Sequence, residues 1–262
     1  MNRYPPERIV CLTEETIETI YLLGEEKRIV GVTGFATRPK QVRLEKTRIS
    51  SFISANIDKI ISLKPDLVLA FSDIQADTVS KLIKNNLTVT CFNQRDLNGI
   101  FNMIRFIGSI LGVQKRSDAL IRKYKLRLNN LSSLINKNNK LKVYFEEWDH
   151  PLITSIKWVS ELIEIAGGID VFKKLSQNES AKNRIIKSED VIKANPDVII
   201  GSWCGKKINY EKIKSRPNWQ DINAIKYNNI FEIKSSIILQ PGPAALTDGL
   251  DQIIKILDKA RY

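Results

Sequence analysis

The chain has 262 residues, 43% of them apolar and 27% charged, and carries a net charge of +12. That is a globular composition, long enough for one large domain or two of about 130 residues, and it excludes a disordered tail or a stapled mini-protein. No run nears the ~20 apolar residues that cross a bilayer, the three cysteines have no CxxC spacing, and the single histidine, His150, excludes any site built from several imidazoles.

In chain order, the first half predicts strands at Arg8–Leu12, Ile29–Val32, Leu67–Phe71 and Val89–Phe92. Helices are expected at Glu14–Leu23, Ile57–Leu63 and Asp77–Asn85. Acids in the first turn of Glu14–Leu23 read as favourable partners of the helix dipole. From Leu97 to about Leu134 there is no proline, and apolar residues such as Ile100, Ile104, Ile107, Leu111, Ile121, Tyr124 and Leu128 keep helical spacing. One continuous helix of roughly 30 residues, ~45 Å long, is expected there. Gly108 and Gly112 are expected to weaken it by about 1 kcal/mol each without ending it. The second half predicts strands at Lys142–Glu146, Val198–Gly201 and Ile230–Ile233, and helices at Val159–Ala166, Ser188–Ala194 and Ala244–Asp258.

The basic excess is spread over both halves, and Lys115, Arg116, Arg122, Lys123, Lys125 and Arg127 read as the solvated face of a helix. No recognition motif accompanies the charge, so nucleic acid is not an expected partner. GxGxxG and GxxxxGK[ST] are both absent, which removes nucleotide chemistry.

The chain also repeats itself. Ile57-Asp58-Lys59-Ile60 through Lys64-Pro65-Asp66-Leu67-Val68-Leu69-Ala70 aligns without a gap to Ser188-Glu189-Asp190-Val191 through Asn195-Pro196-Asp197-Val198-Ile199-Ile200-Gly201, at an offset of 131 residues. Each copy reads as a short acid-bearing helix, a Pro-Asp turn and a strand buried on both faces. A looser echo links Arg8–Leu12 with Lys142–Glu146. Two copies imply two similar α/β lobes rather than a solenoid. The expected organisation is an N-terminal lobe over 1–96, a long connecting helix over 97–135 and a C-terminal lobe over 136–262, both lobes Rossmann-like with parallel central sheets.

Two such lobes joined by one long helix resemble the substrate-binding proteins of ABC importers for vitamin B12, siderophores and haem, and most of all the cobalamin-binding type. The residues that carry the resemblance are Arg8-Ile9-Val10 leading to Leu22-Leu23-Gly24, then Val30-Gly31-Val32, Ile60 to Ala70, and Glu161–Gly168. It covers nearly the whole chain. The resemblance implies a non-enzymatic binder that takes a corrinoid or other tetrapyrrole in a cleft between the lobes. It implies no cofactor and no metal of its own, a monomeric state, and delivery of the ligand to permease subunits. By position it implies ligand contacts from Phe35, Phe52 and Phe71 in the first lobe and from Glu147, Trp148, Asp149, Trp203 and Gln240 in the second. Trp148 is expected in a strand-end loop. The matching docking acids are Asp58 and Glu189. Aromatic surfaces suit a broad planar ligand, because each ring buries ~150–250 Å² at little entropic cost.

Other readings stay open. A siderophore is the expected cargo if Arg38, Lys40 and Arg43 line the site, since a +12 chain attracts anions. A cytosolic carrier or enzyme on the same fold would use Glu146, Glu147, Asp149 and His150 as an acid–base cluster. Cys204 reads as a buried inert thiol, with a nucleophile as the alternative. The opening MNRYPPERIV lacks the roughly 7–15-residue apolar core of a leader. The resemblance implies a periplasmic or lipid-anchored location, while that opening leaves the cytoplasm open.

Overall fold

The computed structural model describes residues 4–50, 55–134 and 140–260. The chain divides into two compact units, Met1–Gln94 with Asn98–Lys123, and Arg95–Leu97 with Tyr124–Tyr262. Among the described residues of the first unit, five strands form a parallel sheet: β1 (Ile9–Cys11), β2 (Ile29–Thr33), β3 (Arg48–Ser50), β4 (Leu67–Phe71) and β5 (Val89–Phe92). Their order is β3-β2-β1-β4-β5. The four strands expected from hydrophobic runs are all present. β3 was not expected, because an edge strand paired only to β2 needs a single buried anchor, here Ile49. Val10, Leu12, Ile60, Val68, Ala70 and Leu82 form the core between this sheet and its helices.

The second unit is built around β6 (Lys142–Asp149), β7 (Leu152–Thr154), β8 (Ile169–Asp170), β9 (Val198–Gly201) and β10 (Ile230–Glu232). Strands β6, β9 and β10 are parallel neighbours, and β8 pairs in parallel with β6. To this parallel core the structure adds an antiparallel hairpin, β6 with β7. Only His150 and Pro151 separate the two strands, and so short a link cannot make the crossover that parallel pairing needs. Tyr144, Val191, Ile199, Trp203 and Trp219 belong to the core of this unit.

The Pro-Asp repeat has a structural explanation. Asp66 accepts backbone N–H bonds from Glu7 (2.8 Å) and Arg8 (3.0 Å), so it fixes the entry to β1. Asp197 accepts from the Lys142 backbone N–H (2.8 Å) at the entry to β6. The cation at each strand start then reaches back to cap the preceding helix. The Arg8 guanidinium donates to Leu63 O (2.6 Å), and Lys142 Nζ donates to Ala194 O (3.0 Å). Cations favour the negative end of a helix, which is what those carbonyls present. Even the left-handed residues before the prolines match, Lys64 at φ 47° and Asn195 at φ 44°.

The single connecting helix is not observed. The segment forms two helices, Leu97–Ile110 and Gln114–Leu134. Gly112, at φ 74°, ends the first in a left-handed cap. Gly112 N–H donates to Ser109 O (3.1 Å) and Val113 N–H to Gly108 O (2.7 Å), the two bonds of a Schellman motif. Helix propensity does not capture this role: the glycine supplies a conformation that other residues adopt at a cost. The division into units falls within the second helix, between Lys123 and Tyr124. Of the basic cluster on that helix, Lys115, Arg116, Arg122, Lys123 and Lys125 are exposed, as expected of a solvated face. Arg127 pairs with Asp251. Among the described residues, no helix is long and apolar enough to cross a membrane.

Candidate functional site

Open α/β sheets take ligands beyond the carboxyl ends of their strands, where the strand order reverses. In the first unit that place is the end of β1 and β4. The turn after β1, Thr13-Glu14-Glu15-Thr16, holds two carboxyls out of water: Glu14 is 6% exposed and Glu15 is 1% exposed. Glu14 accepts from the backbone N–H (3.1 Å) and hydroxyl (2.9 Å) of Thr37. Glu15 Oε1 accepts from the Thr13 hydroxyl (2.5 Å), while its Oε2 has no hydrogen-bond partner. Burial pushes both carboxyls up to about 7, with the threonine bonds only partly offsetting it. The acids expected as partners of the helix dipole do lie in the first turn of Glu14–Leu22, and they are buried there.

Across the crevice, Gln75 accepts from the Phe71 backbone N–H (3.0 Å) and donates to Leu12 O (3.3 Å), tying the ends of β4 and β1 together. Phe35, just past β2, is 50% exposed. Phe71, the last residue of β4, is buried at 7% exposure. Phe52 lies outside the described residues. Beside β4 and β5, a groove of about 550 Å³ is lined by Ser72, Asp73, Ala76, Cys91 and Asn93. The cations expected for a siderophore are engaged locally: Arg38 pairs with Glu18 (3.0 Å) and Arg43 donates to Ala36 O (3.2 Å). Lys40 is exposed.

In the second unit the corresponding place is the end of β6 and β9. Strand β6 runs on past its expected end at Glu146 to Asp149, so Trp148 is a strand residue and not part of a loop. Its indole N–H donates to His150 O (3.0 Å). Glu147 and Asp149 read as loop in the sequence because their partners lie 37 to 63 positions away. Glu146, with no exposure, accepts a bidentate pair of bonds from Arg216 (2.5 and 2.9 Å) and one from the Trp203 indole (3.0 Å). Glu147 is held the same way by Arg184 (2.5 and 3.1 Å). Asp149 receives both Lys206 and Lys212, each at 2.7 Å. Its burial works to raise its pKa, but the two lysines outweigh that and bring the carboxyl down to about 2.

The acid–base cluster is thus a set of ion pairs, each carboxylate consumed by a cation, with His150 exposed beside it. Trp203 is buried at 3% exposure and belongs to the core rather than to an open face. Lys206 lies over the rings of Trp148 (4.1 Å) and Trp203 (4.8 Å). Gln240 is half-buried in the turn after the helix Ser235–Ile238. Cys204 is exposed on the loop after β9, against the expectation of a buried thiol. Asp58 and Glu189 are both exposed in the first turns of equivalent helices, Ile57–Ser62 and Ser188–Ala194. Arg184, Arg216, Lys206 and Lys212 were not foreseen, and no local spacing marks them. Among the described residues, no cluster of three or more His, Cys, Asp or Glu is arranged to hold a metal ion.

Residues 9–237 match the family described as periplasmic binding protein. The chain belongs to that family. Its members are solute-binding proteins and not enzymes, and the expected kinship with ABC-importer substrate-binding proteins is borne out. An uncharacterized ABC transporter substrate-binding lipoprotein of Bacillus subtilis (strain 168) is 27% identical over 258 residues, covering 95% of this chain and 79% of the relative. The crystal structure of the periplasmic vitamin B12 binding protein of Vibrio cholerae superimposes with a TM-score of 0.76 at 23% identity, covering 99% of both chains. A periplasmic heme-binding protein from Roseiflexus sp. RS-1 in apo form gives 0.78 at 23% identity, covering 96% of this chain and 99% of that one. At such identities the structures establish the fold.

Proposed function

We propose that this binding protein takes a corrinoid-type planar ligand at the carboxyl-end faces of its sheets and hands it to the permease subunits of an ABC importer. The observation that carries the reading is the pairing of exposed or part-exposed aromatic surface with neutralised acid at those ends. Phe35 is 50% exposed in the first unit, and Trp148 stands part-exposed on β6 in the second. Phe71 and Trp203 back these faces from the core, and Gln240 is available to orient an amide. The kinship with the vitamin B12 binder supports the corrinoid, and haem is the nearest alternative.

Direct titration of cobalamin, cobinamide and haem, followed by tryptophan fluorescence and by thermal shift, tests the reading. Quenching of Trp148 with at least one of them is expected. No response to any, at ligand well above micromolar, overturns it. Phe35→Ala is expected to weaken binding about tenfold, the loss of one aromatic contact.

Asp58 and Glu189 are proposed to dock the loaded protein. Surface acids of this kind set orientation and encounter rather than affinity. Asp58→Arg with Glu189→Arg is expected to leave ligand affinity unaltered and to abolish ligand-stimulated ATP hydrolysis by the cognate importer in vesicles.

A further inference from the structure

We propose that the ligand carries a carboxylate, and that Lys206 and Lys212 at the end of β6 receive it. The inference rests on the planar-ligand reading above and adds the chemistry of that ligand's periphery. Of the three acids in Glu146–Asp149, two are consumed by bidentate guanidinium groups whose own exposure is small, 11% for Arg216 and 2% for Arg184. Asp149 is different, because two ammonium groups share one carboxylate. Its side chain is 3% exposed, whereas those of Lys206 and Lys212 are 43% and 54% exposed. The acid is turned inward and the cations outward, so the cluster presents one positive charge in excess.

Each ammonium has three N–H donors, and one contact with Asp149 leaves donors for a second acceptor. Lys206 is also held in place. Its position over the Trp148 and Trp203 rings adds cation–π attraction, which restrains a side chain that would otherwise sweep through solvent. A fixed cation beside a part-exposed indole matches a planar ligand with an acid at its edge. Two charge-assisted hydrogen bonds to a carboxylate are stronger than bonds to a neutral amide or ester.

The test compares cobyrinic acid with its methyl ester, two probes of the same macrocycle. Wild type is expected to bind the acid about tenfold more tightly, roughly the worth of one charge-assisted hydrogen bond. The preference is expected to weaken at high salt. Removing the lysines alone would orphan Asp149, so the neutral variant combines Lys206→Gln and Lys212→Gln with Asp149→Asn. Its melting temperature reports folding, and its preference is expected to vanish. Lys206→Arg with Lys212→Arg is expected to keep it. Equal binding of acid and ester by wild type, or a preference that survives in the neutral variant, overturns the inference and leaves the planar-ligand reading standing. Binding of neither probe, nor of cobalamin, cobinamide or haem, overturns both.

Discussion

Glu15 shows how one residue sets a pH dependence. Its carboxyl is sealed from water, one oxygen has no partner, and burial places its pKa near 7 in the folded chain. In the unfolded chain it titrates near 4.5. Between these values the folded state holds a proton that the unfolded state has released. This contribution is therefore fully present below pH 4.5 and is lost as pH rises through 7. Glu14 acts in the same direction. Thermal melts are expected to show lower stability at pH 8 than at pH 5, and Glu15→Gln to shrink that difference by raising the melting temperature at pH 8. Asp149 has the opposite sign, since its support is present above pH 4 and is lost as pH falls toward 2. Glu146 is the costliest acid to strand: Arg216→Met is expected to destabilise by about 3–5 kcal/mol, seen as a lower denaturation midpoint, because it leaves a buried carboxylate without its cation.

Secondary-structure elements differ in how much of themselves they announce. Strands β1, β2, β4 and β5 are apolar runs bounded by turns, and local pattern located them. The Pro-Asp copies were visible as a repeat, although the job of each aspartate, fixing the entry of a strand more than 50 positions away, was not. The tail of β6 was hidden for a related reason: Glu147 and Asp149 look like loop residues until cations from distant segments join them. Of the candidate contacts, Phe35 and Trp148 have the exposure that a surface role needs, while Phe71 and Trp203 have core burial that a strand-end position did not reveal. The connecting segment failed at Gly112, whose cap geometry outranked apolar spacing. Just before that turn, Gly108 packs so closely on Ser117 that a Cβ would overlap its side chain. Gly108→Ala is expected to cost about 1–3 kcal/mol by overpacking. Adding Ser117→Gly is expected to restore most of it, as read from chemical denaturation.

Over the whole molecule, the +12 charge is spread through both halves rather than gathered into an arm. A field of this kind speeds the approach of anions and is screened within about 10 Å at 0.1 M salt. Association rates for an acidic ligand are expected to fall with ionic strength, while those for its ester stay flat, as stopped-flow fluorescence can show.

The ion pairs of β6 also impose a timetable. During synthesis Glu146 emerges 70 residues ahead of the arginine that neutralises it. At roughly 5–20 residues per second the ribosome delivers that partner about 4–14 s later. Glu147 and Asp149 gain their cations earlier, from Arg184, Lys206 and Lys212, so Glu146 is the last acid of the strand to be neutralised. The end of β6 therefore has its full set of cations only once residue 216 has been made.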